Sequence, residues 1–245
     1  MPKINDEGFL IYIKKYNEKS LIVKIISKNN GIISGFLKKS FNKQDKYINQ
    51  IGNFVNFEYN YKTVDKKGTI QLENIKSYIG VIINNNFNLA IFNSIVAILI
   101  ASISENDNIE EIYKICEKIF FAFIYNDKNL ILHYIDFLFK IVAYLGINID
   151  ISKCVVSGNS EVYYMSPKTG NCVSKEVGEK YKKNLFIIPK CFFEDCFDKV
   201  EIVNSINILH YFVEKIFEDN EIYFKYKNIN FLKKIVIKNI NYIKY

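Results

Sequence analysis

Over residues 1–78 apolar and polar positions alternate with a period of two. In GFLIYIKK, Phe9, Ile11 and Ile13 fall on one face, with Leu10, Tyr12 and Lys14 on the other. SLIVKIIS groups Leu21, Val23 and Ile25. FVNFEYN sets Val55, Phe57 and Tyr59 against Asn56, Glu58 and Asn60, and TIQLEN sets Ile70 and Leu72 against Thr69, Gln71 and Glu73. Side chains on a strand change face at every residue, so each alternation predicts a half-buried strand. GIISGFLK adds an apolar, glycine-punctuated strand. Turn residues at Tyr16–Lys19, Asn29–Gly31 and Asp65–Gly68 separate the runs. Five short antiparallel strands in this length predict a small barrel, for which an oligonucleotide-binding (OB) barrel is a leading candidate.

From Asn86 the period becomes helical. Ile109, Ile112, Cys116, Ile119 and Phe123 recur at three and four positions, as do Ile131, Ile135, Leu138, Val142 and Leu145, with Gly146 as the stop. A further amphipathic run, Val203 to Phe217, carries Ile206, Leu209, Val213 and Ile216 on one side. The most apolar run, LAIFNSIVAILIASI, is interrupted by Asn93, Ser94 and Ser102 and is too short for a bilayer, so it predicts a buried helix of a soluble core. Residues 147–190 follow neither period and read as irregular.

Charge sharpens this division. All 33 basic residues are lysines, so no bidentate guanidinium fork is available. Residues 1–78 hold 14 lysines and 7 acids, a net of +7, and residues 79–245 hold 19 of each, a net of zero. The whole excess lies in the strand-rich segment and predicts a surface for a polyanion. Four lysines follow the GIISGFL strand within nine positions, at Lys38, Lys39, Lys43 and Lys46. By residue type alone they form either a solvated loop or a phosphate surface. The start, MPKINDEGFL, lacks the apolar core of a signal peptide, and five unevenly spaced cysteines fit a reducing cytoplasm better than a disulfide framework.

Residue patterns for catalysis are missing. His133 falls on the polar side of its helix beside Asp136, His210 follows Leu209, and neither forms part of a metal pair or triad. There is no glycine-rich phosphate loop or dinucleotide fingerprint. Glu110–Glu111 and Glu194–Asp195 read as solvated faces. Cys154 has Ser157 where a zinc partner would stand, Cys172 has Lys175, and Cys191 and Cys196 have an uncommon ligand spacing. The expectation is no catalytic residue, no metal and no cofactor.

Two segments resemble a known family. GFLIYIKKYNEKSLIVKIISKNNGIISGFLKKS is similar to the N-terminal signature of the RecO family of bacterial recombination mediators: a strand, a Gly-Glu-x-Ser-like turn, a second apolar strand, and a glycine-led strand running into a basic loop. LGINIDISKCVVSG with YYMSPKTGNCVSKEVGEKYKKNLFIIP resembles the segment after that family's helical core, in the form seen in proteobacterial members without zinc. Asn17-Glu18 replaces the usual Gly-Glu. Ser157 and Ser174 stand where zinc-bearing relatives have cysteines, so the metal is not carried over.

The resemblance implies an α+β multidomain protein. A five-stranded OB-fold β-barrel over 1–78 precedes an α-helical domain over 79–245, which includes a degenerate zinc-finger-like region at 147–190. It implies a non-enzymatic DNA repair and recombination mediator that binds single- and double-stranded DNA and anneals complementary strands. With RecR it would help load RecA onto strands coated by single-strand-binding protein (SSB), with a functional link to RecF and a cytoplasmic, nucleoid-associated location. On this reading Lys38, Lys39, Lys43 and Lys46 neutralise phosphates, Lys14, Lys15, Lys19 and Lys24 extend the stripe, and Phe36, Phe41 and Tyr16 stack on bases. The SSB acidic tail would meet the last segment around Lys225, Lys227, Lys233 and Lys234. The rival functions are an OB-fold RNA-binding or ribosome-associated module, and a metal-dependent nuclease with its site in 147–190.

Overall fold

The computed structural model describes residues 2–38, 50–62, 67–105, 107–219 and 223–240, with side chains left aside at 74–75 and 223–227. The chain forms two compact units, 1–125 and 126–245.

The first unit opens with β1 (Lys3–Lys15), β2 (Ser20–Ser27), β3 (Gly31–Lys38), β4 (Phe54–Asn60) and β5 (Gly68–Lys76), closed into an OB barrel in the order β1-β2-β3-β5-β4. Its interior holds Leu10, Val23, Ile25, Ile33, Leu37, Val55, Phe57 and Ile70, with Ile4, Ile13, Leu21, Tyr59 and Leu72 packed around them. The alternation in β2, β4 and β5 is therefore realised as expected.

In β1 it is not. Phe9, Ile11 and Ile13 do not share a face, because a bulge breaks the register between Leu10 and Tyr12. Leu10 and Ile13 both enter the barrel, while Phe9 points outward to aromatic partners on the helices. A bulge sets two residues against one, and a simple count by twos fails across it. The bulge falls where β1 changes company: Lys3–Phe9 pair with β4, and Gly8–Lys15 pair with β2.

Closure depends on a close parallel contact, Gly35 beside Gly68 and Phe36 beside Thr69. A Cβ on Gly68 would lie 2.2 Å from the Asn60 carbonyl oxygen, so only glycine fits that crossing. Among the described residues, the helices α1 (Ile79–Ile83), α2 (Asn86–Ser102) and α3 (Glu110–Tyr125) complete the unit. The Asn85 side chain caps α2 by accepting from the Phe87 and Asn88 amides. Phe9 stacks on Phe120 of α3 at 3.8 Å between ring centroids and meets Phe54 edge-on, while Phe92 of α2 meets Phe120 and Phe123. This aromatic cluster fastens the helices to the outside of the barrel.

The second unit is built on α4 (Leu130–Tyr144), the one-turn α5 (Lys175–Gly178), α6 (Lys199–Asp219) and α7 (Tyr223–Ile240). Helix α4 stops at Gly146, whose φ of 97° is the left-handed conformation that glycine takes most readily. The Gly146 amide donates to the Ala143 carbonyl and the Ile147 amide to the Val142 carbonyl, the paired bonds of a Schellman stop. Between α4 and α6 lies a three-stranded sheet in the order β7-β6-β8, made of β6 (Tyr164–Met165), β7 (Cys172–Val173) and β8 (Phe186–Ile187). Lys215 of α6 ties in the β6–β7 turn by donating to the Pro167 and Lys168 carbonyls. Among the described residues no helix is long and apolar enough to cross a membrane.

Candidate nucleic-acid interface

Register decides which lysines meet. Lys14 stands opposite Ile22, and Ile22 stands opposite Phe36, while Ser20 at the start of β2 stands opposite Lys38 at the end of β3. Lys24 shares the outward face two residues from Ile22, between Tyr12 and Ser34. The β1–β2 turn is held by amides of Tyr16 and Asn17 donating to the Ser20 carbonyl and by the Lys19 amide donating to Asn17 Oδ1. That side-chain turn shows how asparagine serves at Asn17, since its carboxamide closes a turn of its own.

The tip of this hairpin brings Tyr16 against Phe36, with ring centroids 4.9 Å apart. Tyr16 remains 60% exposed, so one aromatic step lies open to solvent. Lys14, Lys15, Lys19 and Lys38 surround it, all exposed, and among the described residues none of the four makes an ion pair. Lys24 and Phe36 are half-buried. The structure thus assembles seven of the predicted residues on one rim: Lys14, Lys15, Tyr16, Lys19, Lys24, Phe36 and Lys38. Lys39, Phe41, Lys43 and Lys46 lie outside the described residues.

Two acids of the barrel are paired away from this hairpin tip. Glu58 pairs with Lys3 and Glu7 with Lys28, each at 2.6 Å. Burial raises the Asp6 carboxyl, but hydrogen bonds from Ser27, Glu7, Asn30 and Asn29 outweigh it and hold the group below its ordinary value. Glu18 lies exposed in the β1–β2 turn among these lysines, and Lys14, Lys15, Lys19 and Lys38 outnumber it, so the rim keeps a net positive charge.

Sequence reasoning missed residues that the barrel closure adds. Because β5 runs beside β3, Lys67 precedes the Gly68–Thr69 step that flanks Gly35 and Phe36. Lys62 is exposed at the end of β4, next to Tyr61, which stacks on Tyr59 at 5.4 Å; the Tyr59 hydroxyl accepts from the Gly68 amide. Nothing local in YNYKTVDKKG signals that neighbourhood, since a parallel pairing between β3 and β5 joins distant segments.

In the second unit the tail-binding candidates separate. Lys233 is held by Glu214 at 2.8 Å with both side chains largely buried, whereas Lys234 is exposed beside the 61% exposed Phe231. The side chains of Lys225 and Lys227 lie outside the described residues. His133 approaches Asp127 at 3.7 Å rather than Asp136, across the turn that begins α4. His210 is fully buried and shares a 2.9 Å hydrogen bond with the Tyr134 hydroxyl.

The cysteine region does not suit zinc. Cys154 takes hydrogen bonds from the Ser157 hydroxyl and then from the Ser157, Ser174 and Val156 amides, which hold its thiol near about 6 against the effect of burial. The Cys172 thiol turns to the Gly170 carbonyl at 3.6 Å, and burial pushes it up to about 11. Ser174 Oγ is buried without a hydrogen-bond partner among the described residues. Hydroxyls standing where thiolates would be needed make a poor donor set for tetrahedral zinc. Among the described residues no three His, Cys, Asp or Glu side chains gather as a metal ion would require.

Two family models match this chain. The one described as Recombination protein O N terminal covers residues 1–78, and Recombination protein O C terminal covers residues 84–219. The chain belongs to the RecO family. Its RecO relatives include the DNA repair protein RecO of Rickettsia bellii (strain OSU 85-389), 34% identical over 222 residues that span 86% of this chain and 88% of that protein. The DNA repair protein RecO of Rickettsia canadensis (strain McKiel) is 34% identical over 199 residues, 78% of this chain and 79% of the other. That of Rickettsia typhi (strain ATCC VR-144 / Wilmington) is 34% identical over 194 residues, 76% and 78%. The barrel described above is thus the N-terminal element of a RecO-family chain.

Proposed function

We propose that this protein is a non-enzymatic recombination mediator. It binds single- and double-stranded DNA on the barrel rim, anneals complementary strands and, with RecR, helps load RecA onto SSB-coated single strands in the cytoplasm. The observation that carries the reading is the exposed Tyr16–Phe36 step ringed by Lys14, Lys15, Lys19 and Lys38. Lysines neutralise phosphates and release counterions, and an open aromatic face stacks on any base. The acidic SSB tail meets the exposed Phe231–Lys234 face of α7, where a ring and an exposed lysine stand three residues apart on one helix face.

The deciding measurement is the salt dependence of single-strand binding. Each lysine that neutralises a phosphate adds about 0.7 to the slope of log affinity against log salt. Replacing Lys14, Lys15, Lys19 and Lys38 by glutamine lowers the slope by about 3 if all four make contact. An unchanged slope in a folded variant moves the DNA surface away from this rim. Tighter binding to RNA than to DNA, with no annealing, favours the RNA-module alternative.

A further inference from the structure

Helix α3 has an inner face that the fold uses and an outer one that it does not. Ile112, Cys116, Ile119, Phe120 and Phe123 are buried, and they anchor the helix to β1 and α2. On the other side Lys114, Lys118, Phe121 and Tyr125 recur at steps of four, three and four, which places them in one stripe along the helix. All four are exposed, Phe121 by 49% and Tyr125 by 76%. Their rings lie nearly parallel, 6.4 Å apart at an interplanar angle of 23°. Lys114 is spent on Glu110 and Glu111, but among the described residues Lys118 has no ion pair. Tyr78 approaches the same end of the helix: its hydroxyl is raised above the ordinary value by burial and then by Tyr125. Lys76, two residues earlier, is exposed.

Two large rings in water at the end of a helix contribute little to folding, since the core beneath already has Phe120 and Phe123. Ring faces spaced along a helix, with lysines at the edge and no carboxylate on the stripe between Lys118 and Tyr125, offer what a single strand needs. The rim at the tip of β1 presents the same chemistry. Strand β1 links the two surfaces within one compact unit: Phe9 lies on Phe120, and Lys14 and Lys15 follow five and six residues later. At about 3.3 Å per residue they stand roughly 17–20 Å along the strand.

We infer that the α3 stripe of Lys118, Phe121 and Tyr125, with Tyr78 beside it, holds a second single strand of nucleic acid while the barrel rim holds the first. This rests on the rim reading above and deepens it: one molecule would carry both strands of a pair about to anneal.

The test uses the full chain with Lys118→Gln, Phe121→Ala and Tyr125→Ala combined, next to the four-lysine rim variant. Affinity for one labelled oligonucleotide is read by fluorescence anisotropy, and annealing of two complementary strands by energy transfer. The stripe variant keeps single-oligonucleotide affinity within about twofold and anneals at least about tenfold more slowly, because stacking on even one of the two rings is worth a factor of that order. The rim variant loses single-oligonucleotide affinity itself. Unchanged annealing in a folded stripe variant overturns the inference and leaves the stripe as a protein-docking face. Equal loss of both activities in that variant also overturns it, by placing the stripe on the first strand's path. A wild-type chain that binds no oligonucleotide overturns the rim reading, a distinct result.

Discussion

Buried between helices of the second unit, His210 has an imidazole that cannot easily take a proton. Burial, and then Lys233, lower its pKa from the ordinary 6.5 to about 3. Below pH 6.5 the unfolded chain binds a proton that the folded chain refuses, so stability is lost as pH falls from 6.5 towards 3, by up to about 1.4 kcal/mol per pH unit. His210→Gln removes that titration, and its melting temperature should fall less than that of the wild type between pH 6.5 and pH 5. Lys233 and Lys234 give a second contrast. Lys233→Gln leaves Glu214 buried without its cation and should cost about 1–3 kcal/mol in urea unfolding with little direct effect on tail-peptide binding. Lys234→Gln should leave stability within about 0.5 kcal/mol and weaken tail-peptide binding. In sequence the two lysines are adjacent and indistinguishable. Only the packing of α7 on α6 turns one inward and leaves the other in water.

Among the elements, strands β2, β4 and β5 and helices α3, α4 and α6 could be read from periodicity, because each buries one face. The stop at Gly146 could be read as well, since a left-handed residue after a helical run favours glycine. The bulge in β1 could not, for it depends on a change of partner strand. The two-residue strands β6, β7 and β8 are too short to show any period. The β3–β5 contact was equally hidden, and with it the place of Lys67 just ahead of the Gly68–Thr69 step that flanks Gly35 and Phe36. That contact sets a steric limit. Gly68→Ala forces a methyl group against the Asn60 carbonyl and should lower unfolding stability by about 1–3 kcal/mol, seen as a lower urea midpoint.

At the scale of the molecule, the charge excess seen in residues 1–78 becomes a place once the barrel closes. Lys3 and Lys28 are neutralised by their own acids, and Lys14, Lys15, Lys19 and Lys38 are not. A cationic surface made only of lysines has point charges and no planar fork for base edges. Affinity should therefore vary little among single-stranded oligonucleotides of equal length and different base sequence, since phosphate contacts carry no sequence information. A preference of about tenfold or more for one sequence would point to base-edge contacts elsewhere.

The bulge at Ile11 makes the barrel depend on parity. Up to Leu10 the even-numbered positions Ile4 and Leu10 look inward; past Ile11 the odd-numbered Ile13 does. Ile11 is the residue that changes the count, so its loss by deletion would return β1 to plain alternation with Tyr12 and Lys14 still outward. Loss of a single residue elsewhere between Tyr12 and Lys15 would not be so forgiving. With the bulge kept, it would turn the following side chains to the opposite side. The way the lysine rim faces is therefore inherited through the number of residues in one strand, before the identity of any lysine comes into play.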